Sequence, residues 1–255
     1  MVKLVDTHSH IFVDEFDDLV SIMKQASEAQ VAKILMPNID EETIDQAIAT
    51  HHLFPKETAI MMGLHPSSVK SDFKDQLAKI KTSLDNLDCC AVGEIGLDYY
   101  WSDEFKKEQL KALEIQLQWA IDKGLPVSLH TRNATSETID ICKNFKGLKG
   151  VFHCFGGSVE EAKQIIDLGM YLGIGGVVTF KNAGLAESLA QLDLSNLVLE
   201  TDSPYLAPHP NRGKRNEPAY LKLVAQKLTE VFNTSFEEVA LQTSRNAEKV
   251  FNFTL

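Results

Sequence analysis

Apolar positions along the chain gather into eight short, near-continuous runs: 3–6 (KLVD), 33–36 (KILM), 59–63 (AIMMG), 91–94 (AVGE), 126–130 (PVSLH), 150–153 (GVFH), 170–174 (MYLGI) and 197–202 (LVLETD). Runs of this kind, without polar alternation, are those of parallel strands covered on both faces. Between them the apolar period changes to three and four. The clearest case is 105–123, where Leu110, Leu113, Leu117, Ala120 and Ile121 mark one helical face and Gly124 supplies the stop. Segments 159–168 and 220–232 read the same way. Eight strand-then-helix units predict an α/β chain folded as a (β/α)8 (TIM) barrel. The rival is an open doubly wound sheet, which the period alone does not separate. The polar residues favour the barrel, because they cluster at the ends of many different strands. No linker, Gly/Ser-rich stretch or charge block divides the chain, so residues 1–255 are expected to form one domain.

Composition narrows the function classes. With 25 Lys+Arg against 36 Asp+Glu the net charge is −11, which argues against a protein that coats DNA through a broad basic surface. It leaves room for an enzyme that grips phosphate locally. The only four arginines are Arg132, Arg212, Arg215 and Arg245. No apolar run is long enough to span a bilayer, and the opening MVKLVDTHSHIF lacks the apolar stretch of a secretory signal. The four cysteines (89, 90, 142 and 154) form no CxxC pair, and a reduced, cytoplasmic setting is the simplest expectation.

The chemistry sits at strand ends. His8 and His10 follow the first strand two residues apart, so on extended chain both imidazoles point the same way. Glu94 ends the fourth strand between Gly93 and Gly96, and a carboxylate there is costly to bury unless paired or on a metal. His130 ends the fifth strand, His153 the sixth and Asp202 the eighth. Any one of these could be a satisfied core or surface group; six at the same end of five strands point to a metal centre. Four histidines and two carboxylates suit borderline cations such as Zn²⁺ or Mn²⁺. Six ligands are too many for one open tetrahedral zinc and suit two metals sharing a carboxylate and a water.

Other groups have two readings each. His65, ending the third strand, either donates to a substrate oxygen or caps a loop. Arg132 either forks onto a phosphate or makes a salt bridge at the rim. Arg212, Lys214 and Arg215 either hold further phosphates or form a solvated loop. Tyr99, Tyr100 and Trp101 either stack on bases or cover the rim. Cys154, next to His153, is expected to face away and pack, and His51 and His52 to be solvated. The phosphate loop GxxxxGK[ST], the nucleophile elbow GxSxG and the HxE/PCxxC deaminase pattern are all absent.

DTHSH at 6–10, GEIGLDYY at 93–100, HTRNA at 130–134, HCFGGS at 153–158 and ETDSPYLAPHPNRGKRNEP at 200–218 resemble the TatD family of metal-dependent deoxyribonucleases, within the wider amidohydrolase-like barrels. Two positions, Gly157 and Glu137, depart from the usual pattern, and neither is a ligand. The resemblance implies metal ligands at His8, His10, Glu94, His130, His153 and Asp202. It implies one metal on His8, His10, Glu94 and Asp202, and a second on Glu94, His130 and His153, as Mg²⁺, Mn²⁺ or Zn²⁺. It further implies attack by a water held between them, with Asp202 as general base and Glu94 shared, and substrate positioned by His65, Arg132, Arg212, Lys214 and Arg215. The expected activity is 3′–5′ exonuclease action on single-stranded DNA by a monomer, with no membrane partner. Some relatives instead resemble deacylases that remove D-amino acids from tRNA, which keeps an acyl ester open as the substrate. An inactive metal-binding scaffold is the remaining alternative.

Overall fold

The computed structural model describes residues 2–255. Eight strands form a single parallel sheet in chain order: β1 (Leu4–Asp6), β2 (Val31–Pro37), β3 (Thr58–Met62), β4 (Ala91–Asp98), β5 (Val127–Arg132), β6 (Gly150–Phe152), β7 (Tyr171–Ile174) and β8 (Leu197–Leu199). All eight apolar runs are strands. The first and last strands meet just beyond their ends: the Thr7 N–H donates to the Leu199 carbonyl at 2.9 Å, the Asp202 N–H to the His8 carbonyl at 2.9 Å, and Ser9 bridges Ser203. A sheet joined to itself this way is a barrel, and the open doubly wound alternative falls away.

The boundaries differ from the apolar runs where polar residues take part in the ladder. Strand β4 runs on to Asp98, because Gly96 pairs with His130 and Asp98 with Arg132. Gly96 has φ +149°, and a Cβ there would collide with the His130 carbonyl, so only glycine lets the two strands approach. Strand β8 stops at Leu199, and residues 200–202 leave the ladder to serve the site.

Helices lie between the strands: α1 (Leu19–Glu28), α2 (Ile44–Leu53), α3 (Phe73–Asn86), α4 (Lys106–Lys123), α5 (Thr135–Cys142), α6 (Val159–Asp167), α7 (Leu185–Leu189) and, after β8, α8 (Leu221–Phe232) and α9 (Phe236–Phe251). Helix α4 (Lys106–Lys123) ends where Gly124 takes φ +66°. Helix α6 (Val159–Asp167) starts on a reciprocal cap between Ser158 and Glu161. Helix α8 (Leu221–Phe232) buries Leu221, Val224, Ala225 and Leu228 on one face. Among the described residues no helix is long and apolar enough to cross a membrane.

The last helix, α9 (Phe236–Phe251), closes the end of the barrel away from the strand C-termini. Ala247, Val250 and Phe251 pack with Val5, Leu35, Met61, Ala91, Val151 and Val198, one from each of six strands. Buried Asn246 donates to the carbonyls of Leu194 (3.1 Å) and Leu197 (2.7 Å), and Ser244 to that of Lys3 (2.9 Å), fixing α9 against the strand starts. One end of the barrel is thereby filled with apolar side chains, and polar groups are left to the other.

Candidate metal centre

At that other end the six strand-end groups converge on Glu94, which is 2% exposed. Its Oε1 lies 2.8 Å from His130 Nδ1, 3.0 Å from His153 Nε2 and 3.3 Å from His65 Nε2. Its Oε2 lies 3.1 Å from His8 Nε2 and 3.5 Å from His10 Nε2. Asp202 Oδ1 stands 3.7 Å from His10 Nε2. The rings of His8 and His153 stack with centroids 3.7 Å apart. Three sets of donor atoms each fall within 4.8 Å: His8, Glu94 and His153; His8, His10 and Asp202; and His65, Glu94 and His130. The six expected ligands are thus brought together, and His65 joins them.

Whether these atoms suit a cation depends on where each histidine carries its lone pair. His10 Nδ1 faces the Pro37 carbonyl at 3.1 Å, so Nδ1 holds the proton and Nε2 turns a lone pair inward. His130 Nε2 lies 3.1 Å from Asp98 Oδ2, which leaves Nδ1 as the inward lone pair. His153 Nδ1 lies 3.3 Å from Glu200 Oε1, close enough for charge attraction though outside hydrogen-bond geometry, and its Nε2 faces Glu94. His8 Nδ1 meets the Ser128 hydroxyl at 3.0 Å, an arrangement compatible with an inward Nε2 lone pair. An acceptor behind each ring is the usual support of a metal-bound histidine, and this donor set fits a divalent cation.

His65 is turned the other way. The Ser67 N–H donates to its Nδ1 at 3.1 Å, so the neutral ring carries its proton on Nε2, the atom nearest Glu94. His65 thus caps the turn at Pro66–Ser68, the second of its two sequence readings, and its Nε2–H points toward Glu94. Burial also holds its pKa below the usual histidine value.

The electrostatics agree. Burial alone would raise the Glu94 pKa, but His65, His153 and His8 hold it well below the carboxylate range. Burial lowers the His153 pKa, yet Glu94 and Glu200 push it well above the ordinary value. His130 is raised too, Asp98 and Glu94 outweighing burial. Burial lifts Asp202 to about 6 against the opposing pull of His153 and His10. Glu94 therefore needs positive charge around it, which His130 and His153 carry and which a divalent cation would supply as well, releasing protons on binding.

A cavity of ≈620 Å³ opens over the cluster, with His10, Glu94, His130, His153 and Asp202 on its floor and His65, Arg132, Trp101, Cys154 and Tyr205 on its walls. Arg132 is on the wall, but the guanidinium stacks on Tyr100 (3.7 Å) rather than pairing with an acid. Arg212, Lys214 and Arg215 are outside this wall. Arg215 donates to the Glu15 carbonyl (2.6 Å) and pairs with Glu217 (2.9 Å), and Arg212 lies over Phe180 (4.6 Å). Tyr99 packs on the core beneath the Lys106 amine (4.3 Å), leaving Tyr100 and Trp101 exposed.

Two expectations are corrected. Cys154 lines the cavity instead of facing away, because β6 ends at Phe152 and Cys154 takes φ +48°, which breaks the alternation. His51 is half-buried, its Nδ1 2.9 Å from the Thr58 hydroxyl, while His52 is exposed. The residues not foreseen are the supports: Asp98 behind His130, Glu200 behind His153, and Ser67 behind His65. Even spacing, which sets side chains on one side of an extended chain, puts Glu200 two residues before Asp202 and Asp98 four after Glu94; it marks two acids near the site without saying which ring each supports.

A parallel barrel with a histidine–carboxylate cluster at the strand C-termini is the architecture of metal-dependent hydrolases. The family model described as TatD related DNase matches residues 5–252. The chain is 36% identical over 252 residues to the uncharacterized metal-dependent hydrolase YabD of Bacillus subtilis, covering 97% of this chain and 98% of that one. It is 39% identical over 165 residues to the uncharacterized metal-dependent hydrolase YcfH of Escherichia coli K12, covering 64% and 62% of the two chains. The solved structure of the TatD homolog YjjV from Escherichia coli K12 superposes with a TM-score of 0.93 at 28% identity, over 98% of each chain. The chain belongs to the TatD family, and it is a metal-dependent hydrolase of that family.

Proposed function

We propose that this chain is a metal-dependent phosphodiesterase that shortens single-stranded DNA, acting as a monomer with two divalent cations, Mg²⁺, Mn²⁺ or Zn²⁺. The observation that carries the reading is the arrangement around Glu94. Five histidine nitrogens and Asp202 surround one buried carboxylate, four of the histidines backed by acceptors or a hydroxyl and the fifth by a donor. His8, His10, Glu94 and Asp202 would hold one cation and Glu94, His130 and His153 the other. Cations held there would lower the pKa of a bound water and neutralise phosphate oxygens.

The chain's own groups do the rest. Asp202, half-buried, in the cavity floor and beside His10, accepts the proton of the attacking water as general base. His65 offers its Nε2–H to a substrate oxygen beside Glu94. Arg132, exposed on the cavity wall, meets a phosphate of the strand. Arg212 and Lys214 are left to phosphates farther along the strand, and Arg215 fastens its loop to the Glu15 segment. The family description as DNase supports the phosphodiester as substrate. The same donors would also suit the oxyanion of an acyl ester.

A substrate panel separates these chemistries. Metal-loaded protein is offered single-stranded DNA, duplex DNA, RNA and a D-aminoacyl-tRNA at equal concentration. The expected result is fastest turnover of single-stranded DNA; release of the amino acid with the DNA left intact would replace the phosphodiesterase with a deacylase.

A further inference from the structure

The β4–α4 connection carries two large aromatics that nothing above uses. Trp101, on the wall of the metal cavity, is 74% exposed, and its neighbour Tyr100 is 52% exposed. Their rings meet edge to face with centroids 4.8 Å apart. The Arg132 guanidinium lies 3.7 Å above the Tyr100 ring and 5.4 Å from that of Trp101. Tyr100 is thus covered by Arg132, and Trp101 keeps the greater part of its indole open. The residue before it is anchored to the site: the Tyr100 N–H donates to Asp98 Oδ1 at 2.9 Å, while the other Asp98 oxygen faces His130. Behind Trp101 lies a second, smaller pocket of ≈80 Å³, bounded by Pro66, Val69 and Phe105 and by Asp98 and Ser67, which also wall the main cavity. An exposed indole between a charged cavity and an apolar side pocket, with a cation alongside, has the makings of a surface for a flat ring tethered to a phosphate.

We propose that Trp101 is the stacking seat for one unpaired nucleobase, whose own phosphate lies over Glu94 and whose neighbouring phosphate is met by Arg132. This rests on the phosphodiesterase reading and deepens it. A base inside a duplex has both faces covered and offers none to an indole, so the seat selects single strands and frayed ends over paired DNA.

Trp101 and Trp119 are the only tryptophans, so Trp119→Phe leaves Trp101 as the sole indole emitter. Trp119 lies on α4 beside Lys81, outside the cavity wall. That variant, metal-loaded, is titrated with a phosphorothioate oligothymidylate that resists cleavage, and with the same strand made abasic at its ends. Quenching by the first and little by the second is expected. In parallel, Trp101→Ala should raise KM for single-stranded DNA about tenfold, the loss of one base stack, while its metal affinity, measured by competition with a chelator, matches wild type and Trp101→Phe recovers most of the loss in KM. Equal quenching by the abasic strand, or an unchanged KM in Trp101→Ala, overturns the seat and leaves the phosphodiesterase standing. A wild-type protein that neither binds nor cuts any strand overturns both.

Discussion

Glu94 Oε1 has three histidine nitrogens within 3.3 Å, and the three rings are held in different ways. What distinguishes the rings is the partner on the far side of each. Asp98 fixes His130 and Glu200 stands behind His153, whereas the Ser67 N–H fixes His65 in the opposite tautomer. Asp98→Asn should therefore weaken metal binding about 10- to 100-fold without removing a ligand. Metal stoichiometry measured by competition with a chelator checks this, and an affinity equal to wild type would deny Asp98 its supporting role. The six candidate ligands were legible as a cluster because strand ends collect them at recognisable spacings, and the structure brings them together. The supports were not, because Asp98 and Glu200 act through rings 32 and 47 positions away in the chain, His130 and His153. Cys154 was misread for a related reason, since alternation holds only while the strand lasts and β6 ends at Phe152.

At the scale of elements, the seam between β1 and β8 shows how a short strand is held. Both strands have only three residues, and their junction relies on Asp6, whose carboxylate accepts from the Thr201 N–H (2.9 Å) and hydroxyl (2.6 Å). Burial, against those two hydrogen bonds, raises Asp6 from 3.8 to about 8. Folded protein then holds a proton that unfolded protein gives up above 3.8. The stability this provides is complete below that value and is lost as pH rises through about 8. Metal-stripped wild type is expected to lose stability between pH 5 and 8 by up to about 1.4 kcal/mol per pH unit from this group, and Asp6→Asn to flatten the slope. Urea unfolding across that range is the measurement, and parallel slopes in the two proteins would refute the assignment. The eight strands and the period of α4 could be read from apolar spacing. The extent of β4 could not, because its last four residues include Gly96 and Asp98, which enter the ladder only through β5.

At the scale of the whole molecule, apolar packing against α9 fills one end of the barrel and the polar cluster occupies the other. The net charge of −11 makes the surface a poor general ligand for a polyanion, so the proposed strand would have to be attracted locally, at the metal centre and Arg132. Binding of strands should accordingly follow metal loading more closely than it follows ionic strength. The fold was legible because a repeated strand–helix unit leaves few ways to bury its faces. The wall around the site was less so, because loop residues such as Trp101 and Arg215 take their places from contacts that have no period. The most direct test of the account strips the protein of metal, restores Mn²⁺ or Mg²⁺ in steps, and follows 5′-labelled single-stranded DNA beside the metal bound. The expected result is no cutting by stripped protein, and a ladder shortening from the 3′ end that grows with the bound metal. Cutting that persists in full without metal, or DNA left intact with the centre fully loaded, would contradict it.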